Sequence, residues 1–493
     1  MLGETLVVVA IVLPAICGVG APGRRPDAGA TIAGLAAAAA LLVVVVVDEP
    51  VRMLGGWVVV DRVGGMWLLF VVFTTAVVRR FAAGSLGADD RWARFLRTTA
   101  LAGAASAFLM VAGNLWALTV ASVVSGLAAT TVIRRGSPVA ASAVATRAQR
   151  TFFVGDAALL VATIVLVSNV GSAEFASLGE ASGAAREWGA LLLVLAALVR
   201  CAQLPSHGWL VQSLSAPTPT SAFLHAGVVN GGGVILIRTA RLGTGATLAT
   251  IACVVITTVG LVVAAAVMRV RADVKGRLVW STIGQMGFML LQAALGLTAA
   301  AALHLVAHGM YKSNLFLNSG TGLEHRPHHR IARPTGPGGV IAGGAAVVVV
   351  GAAVLISGFS PRGNDGGNLL IVGFGVLTVY ALLRGGFALR RSLTPVVTLV
   401  AAVGAATAVY FLLLTGLESW LDLPITEVDG AGVIAVAVLA VCLVGAWVTR
   451  PTAGSRDGGF VTFVDARVRA IGRAPHLPRH TINRPTDAEI GAR

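Results

Sequence analysis

Three residues, His304, His308 and Lys312, recur at four-residue spacing inside the otherwise apolar stretch LHLVAHGMYKSNLFLNSG. On an α-helix that spacing stacks them on one face, about 6 Å apart along the axis. Histidine changes charge near neutral pH, and a desolvated lysine can give up its proton, so the stripe could pass a proton along a hydrated path. The competing reading makes the histidines core groups bonded to carbonyls and lets Lys312 reach toward the membrane surface. Three such groups on one face of an apolar helix are hard to justify as packing, and we read them as a proton or ion path. Lysine usage points the same way: of 37 basic residues only Lys275 and Lys312 are lysines. Arginine, used everywhere else, cannot deprotonate in a protein. Lys275, in Asp273-Val-Lys275-Gly-Arg277 at a helix start, is equally well read as a plain loop charge.

A second constellation, Arg200, His207, His225 and Asn230, lies in RCAQLPSHGWLVQSLSAPTPTSAFLHAGVVNGGG. Between Cys201 and Ser221 there is no Asp, Glu, Lys or Arg, while Pro205, Pro217 and Pro219 interrupt a helical run. This predicts a helix broken over about 200–217 at membrane depth, a geometry tolerated only when buried in protein or lining a wet cavity. Arg200 is a permanent charge that can bias its neighbours or hold an anion but cannot load a proton. His207 and His225 are left either to titrate or to cap the broken ends. Acids are scarce within the apolar runs; Asp156 is the candidate partner for a buried base, with a position at a loop edge as the other reading. The triplet His325, His328 and His329 sits in an Arg- and Pro-rich loop without a nearby cysteine, so no metal site is expected. No catalytic nucleophile, phosphate-cradling loop or nucleotide fingerprint stands out, and the chain is not expected to hold a cofactor or a catalytic centre of its own.

The elements that must position these residues are membrane helices. The 493-residue chain is 56% hydrophobic and 12% charged with a mean hydropathy of +0.85, far from the composition of a soluble globular domain. At about twenty residues per crossing, apolar runs fall near 2–19, 30–47, 63–78, 98–113, 115–133, 152–170, 188–217, 218–237, 246–268, 277–297, 299–319, 338–357, 368–383, 394–415 and 432–449. The expected fold is therefore an all-α polytopic membrane protein of about 15 transmembrane helices. The first run, led by Glu4 and lacking a basic leader region, is expected to be a retained span. Basic loops (Arg24 and Arg25, 79–97, 134–150, 269–277, 326–333, 384–391, and the tail) alternate with acidic ones (Asp48 and Glu49, 174–187, 418–429). This places the N-terminus outside and the C-terminus in the cytoplasm of a bacterial cell. Residues 1–450 form the membrane domain and 451–493 a basic, Pro- and Gly-rich cytoplasmic tail. The net charge of +15 is spread over short loops as a topology signal, so nucleic acid is not an expected partner, whereas membrane lipid is. Cys17, Cys201, Cys253 and Cys442 show no paired spacing and read as small core residues. The spans come in two comparable batches, each with a helix carrying buried basic and imidazole groups, which implies inverted repeats.

The run Ala202-Gln203-Leu-Pro205-Ser-His207-Gly-Trp209-Leu210, then Ala216-Pro217-Thr-Pro219-Thr-Ser221-Ala222 and His225-Ala226, resembles the signature of the antiporter-like subunits of respiratory complex I and of Mrp cation antiporters. Asp273-Val-Lys275, Ser281-Thr282-Ile-Gly284-Gln285-Met286-Gly287 and the His304, His308, Lys312 stripe carry the same resemblance, over roughly residues 60–325. Within that superfamily, His225-Ala-Gly-Val-Val-Asn230-Gly-Gly, together with Arg94-Phe-Leu-Arg97 and Ala112-Gly113-Asn114-Leu115, is most similar to the DabB-type subunit of bacterial inorganic carbon transporters. The resemblance implies a cation-conducting subunit, protons before sodium, that energises a large zinc-bearing DabA-type partner resembling carbonic anhydrase. Zinc then belongs to the partner. A subunit of a complex I or Mrp-type assembly is the alternative, and a non-conducting membrane anchor a third. Two departures bear on the path. Relatives commonly carry a lysine where this chain has Arg200 and a glutamate where it has Ala117, so their Lys and Glu pair is not available in that form. Complex I relatives also carry a lysine in a second broken helix, where Gly339 to Ile356 here has no charge. The path is therefore expected to run mainly through His225, His304, His308 and Lys312.

Overall fold

The computed structural model describes residues 2–20, 28–47, 50–85, 90–136, 141–243, 245–319, 338–359, 365–389, 393–421, 428 and 430–448. They form a helical bundle. The first half runs α1 (Leu2–Gly20), α2 (Ala28–Val47), α3 (Arg62–Ser85), α4 (Asp90–Met110), α5 (Leu115–Gly136), α6 (Ala141–Val170), α7 (Gly183–Arg200), α8 (Gly208–Gln212), α9 (Thr218–Ala226) and α10 (Gly231–Arg238). The second half runs α11 (Thr247–Val270), α12 (Val274–Ala294), α13 (Thr298–Asn318), α14 (Gly338–Ser357), α15 (Asp365–Leu389), α16 (Leu393–Leu421) and α17 (Ala431–Val448). Each apolar run read from the sequence falls on one helix or, at 188–217 and 218–237, on an interrupted pair. By length and composition, seven of the described segments are long and apolar enough to cross a membrane.

Helices are the available solution for such a sequence, because hydrocarbon leaves backbone N–H and C=O groups no partner except within the segment itself. Small residues set how the helices pack: Gly103 of α4 lies against Thr75 of α3, and Gly155 of α6 against Val199 of α7, with no room for a side chain at either glycine. One apolar core joins α1 to α13. A second is built from α14 to α17 against Val254, Leu291, Leu295 and Leu297 of α11 to α13. α14 is an unbroken helix without a charged residue.

An element absent from the sequence reading is a hairpin, β1 (Val51–Met53) with antiparallel β2 (Val58–Val60), in the register Val51 to Val60. Its turn needs Gly55 and Gly56, both at positive φ. The hairpin closes one end of α4 and α5: the Val59 amide donates to Val111 O at 2.9 Å and the Gly113 amide to Trp57 O at 3.0 Å. Asn114 then accepts the Ala117 amide at 2.9 Å as a helix cap and donates to Gly56 O at 3.2 Å.

Candidate ion path

The first break behaves as the prolines predict. α7 stops at Arg200, Ala202 takes a positive φ, and the chain turns through 201–207 before the short α8. Pro217 caps α9 and Pro219 sits in its first turn, where a missing N–H costs nothing. The freed polar groups find partners in protein. Buried Gln203 donates its Nε2 to Cys201 O and to Ile283 O of α12, both at 2.9 Å. Its Oε1 faces Gly260 of α11 and Gly287 of α12, where any side chain would collide with it. Trp209 donates to Val199 O at 3.3 Å. Lys275 donates to Ala216 O at 3.0 Å, tying the start of α12 to the loop before α9.

A second break, at Gly227 to Asn230, separates α9 from α10 without a proline. Here Asn230 supplies the missing donor: its Nδ2 donates to Ala226 O at 2.5 Å. Cys201 donates to Val229 O at 3.2 Å and its sulfur occupies the space a side chain at Gly232 would need, so the two breaks pack on each other. In Thr218–Arg238 every residue from Pro219 to Ile235 is buried, which satisfies the rule that irregular backbone at membrane depth be encased in protein.

Against these breaks lies an ion pair. Arg200, 1% exposed, meets Asp156 of α6 with Nη2 at 3.0 Å from Oδ1. Ser122 of α5 joins them, donating to the same Oδ1 at 2.8 Å while its Oγ and its carbonyl accept from Arg200. Phe152 of α6 lies under the guanidinium, with Cζ 4.8 Å from the ring centroid. Gly126 on α5 leaves space for the Arg200 head and Gly231 lies beside its stem. Asp156 is thus buried in the bundle and not at a loop edge. α5 carries no acid at Ala117; the carboxylate that pairs with Arg200 comes from the neighbouring α6, and Ser122 of α5 bonds to both members of the pair.

The remaining titratable groups gather on α9 and α13. Fully buried His225 stacks on Phe316 of α13 at 4.2 Å between centroids and 19° between planes. α9 and α13 touch where Gly309 packs on Ala226 O and on the Phe70 ring, which sets His225 and His308 side by side in sequence with that contact. The His304 and His308 rings are 6.0 Å apart, and His304 also packs 5.6 Å from Phe288. Lys312 is 1% exposed and donates to Leu278 O of α12 at 3.1 Å. His308 and Lys312 lie one turn apart on the same face of α13. Among the described residues, both ring nitrogens of His225 and of His308, Nε and Nη1 of Arg200 and Oδ1 of Asn230 have no hydrogen-bond partner.

The structure therefore brings Arg200 and Asp156 together and groups His225, His304, His308 and Lys312. His207 stands apart from both. Its Nδ1 lies 3.2 Å from Pro205 O and its ring 5.4 Å from Trp280, the arrangement of a residue that closes the break. Sequence reasoning missed Ser122, because a single Ser in an apolar run carries no spacing signal, and it met Gln203 only as part of the signature run, without its structural role. His325, His328 and His329 and the tail 451–493 lie outside the described residues.

Comparison with known proteins gives the family to which these elements belong. Residues 112–336 match the family described as NADH:quinone oxidoreductase/Mrp antiporter, TM. The chain is 34% identical over 300 residues to the probable inorganic carbon transporter subunit DabB2 of Halothiobacillus neapolitanus, covering 59% of this chain and 54% of that one. It is 34% identical over 370 residues to the probable inorganic carbon transporter subunit DabB of Hydrogenovibrio crunogenus, covering 68% and 71%. In fold it is similar to a chain of the Mrp complex from Dietzia sp. DQ12-45-1b, with a TM-score of 0.60, 20% identity, and coverage of 97% of this chain and 60% of that one. The chain thus belongs to the antiporter-like membrane subunits of the NADH:quinone oxidoreductase/Mrp type, in the group of the DabB inorganic carbon transporter subunits.

Proposed function

We propose that this chain is the proton-conducting membrane subunit of a two-component inorganic carbon uptake complex. The observation that carries the reading is the group of buried His225, His308 and Lys312 with half-buried His304 one turn from His308: His225 and His308 flank the contact of Gly309 with Ala226, and their imidazole nitrogens find no partner among the described residues. Buried polar groups of this kind are ordinarily satisfied by ordered water, and a hydrated row of imidazoles and an amine is the chemistry a proton relay needs. The kinship with DabB subunits supports carbon uptake as the process served. In this reading about 15 helices cross the bacterial inner membrane in inverted repeats, with the N-terminus outside and residues 451–493 in the cytoplasm. The chain holds no cofactor, and zinc sits in a large DabA-type partner resembling carbonic anhydrase, whose hydration of carbon dioxide the proton flow drives.

The test joins purification to mutation. Tagged protein taken from its native membrane in mild detergent should bring down one large zinc-containing peripheral protein. Lys312→Ala and His308→Ala should abolish carbon uptake while leaving that complex intact. Normal uptake in both variants would make the chain a non-conducting anchor. The likeness in fold to the Mrp complex supports a second reading, a subunit of a respiratory or cation-antiporter assembly. Recovery of several other polytopic subunits in place of the zinc protein would establish it.

A further inference from the structure

On the side of the bundle that carries the basic connections, α6 is longer than a membrane crossing needs. Its apolar run, 152–170, makes about 28 Å of helix and fills the hydrocarbon, so 141–151 project roughly 16 Å beyond it. Exposed Phe153 and Val154 mark where lipid contact begins. Along the projecting turns runs an open trough with a cavity volume of about 790 Å³, walled by Ser142, Thr146, Arg147, Arg150 and Thr151 of α6 and by Ser206 of the first break. From Ser142 to Val154 it is about 18 Å long. Arg147 and Arg150 are exposed, as are Arg134 and Arg135 at the end of α5, just before α6 begins. Among the described residues none of these four arginines makes an ion pair. The surrounding sequence offers them no acid either: from Arg91 to Gly155 there is no Asp or Glu, and Asp156 is taken by Arg200.

Membrane topology explains the sign of these charges but not the trough between them and the break. A phosphate headgroup would fill only a fraction of its length, and its far end stands beyond the reach of an acyl chain. A polypeptide segment of about five extended residues spans it. Resting on the reading of this chain as the membrane half of a two-part complex, we propose that the trough docks an acidic segment of the cytoplasmic partner, its carboxylates on Arg147 and Arg150 and its polar groups on the hydroxyls of Ser142, Thr146 and Ser206. Guanidinium groups grip carboxylates at two points, and a basic surface steers an acidic one toward it. The position also has a mechanical meaning. Ser206 belongs to the turn that follows Arg200, and Arg150 stands on α6 about 9 Å of helix from Asp156. A partner seated here holds both segments that lead to the buried pair, and it does so without entering the membrane.

The experiment uses the full chain in its native membrane. Photo-crosslinking from Thr146→p-benzoylphenylalanine, followed by mass spectrometry of the adducts, should yield a peptide of the co-purifying cytoplasmic partner that is rich in Asp and Glu. Arg147→Glu with Arg150→Glu should lower recovery of that partner per purified chain about tenfold, the scale of like charges set against each other across an interface. Arg80→Glu with Arg277→Glu makes an equal change of charge at two other exposed positions on the same side and should leave recovery within about twofold of the wild type. Thr146→Trp, which fills the trough without touching charge, should lower recovery too, so a folding defect in one variant does not decide the matter. Unchanged recovery in both trough variants, an adduct with phospholipid alone or with residues 451–493 of this chain, or a partner peptide without acidic residues would overturn the docking site and leave the proposed function standing. Recovery of no peripheral partner by the wild type would remove the proposed function, and the docking site with it.

Discussion

Arg200 and Asp156 are the residues whose removal should be easiest to interpret. Both are almost fully buried at 3.0 Å, and taking away one partner strands the other charge. Asp156→Ala should therefore destabilise the protein by about 3–5 kcal/mol, as is usual for half of a buried pair, whereas Arg200→Met with Asp156→Leu should recover most of it. Thermal unfolding in detergent reads both. Carbon uptake by the stable double variant then separates architecture from conduction: full uptake would mean that the pair only braces α5, α6 and α7. The chemistry of this pair was half legible in the sequence. Arg200 and Asp156 both stood out as charges in apolar runs, but they are 44 residues apart and on adjacent helices, so only packing could join them. Ser122, which completes the trio, has the same appearance in the sequence as any small helix-packing serine.

At the scale of elements, the critical contact is between α9 and α13. A methyl group at Gly309 would run into Phe70 and Ala226 O. Gly309→Ala should thus cost about 1–3 kcal/mol through overpacking and also reduce uptake, because it separates the helices that carry His225 and His308. A drop in stability with uptake intact would show that the spacing of these helices does not matter to transport. The hairpin region offers a pH test outside the spans. Asp61, at the end of β2, is partly desolvated, which raises its pKa, but Arg238 at 2.5 Å outweighs this and holds the carboxyl below its usual 3.8. A depressed carboxyl contributes stability above its unfolded value that is lost as pH falls through the folded one. Acid unfolding below about pH 4 should accordingly be less steep in Asp61→Asn than in the wild type. Of these elements the helices were legible as apolar runs, and the first break as a cluster of prolines. The second break was not, since Asn230 makes it with a side-chain hydrogen bond that no residue pattern announces. The hairpin was hidden because VRMLGGWVVV is too short and too apolar to read as two strands.

For the molecule as a whole, the alternation of basic and acidic connections makes a topology that labelling can check. Arg135 and Glu174 flank opposite ends of the 30-residue α6, and both are exposed. In a cysteine-free background and intact cells, an impermeant maleimide should modify Glu174→Cys and spare Arg135→Cys. The reverse pattern would invert the orientation drawn from charge. A whole-molecule property also follows from the guanidinium buried beside α5. One side chain reaches from the end of α7 to the Asp156 carboxylate of α6 and to both the hydroxyl and the carbonyl of Ser122 on α5, so three helices are riveted at a single point. A displacement of any one of them at this depth carries the other two along, and the second break, whose Gly231 lies against the stem of the same arginine, is drawn after them.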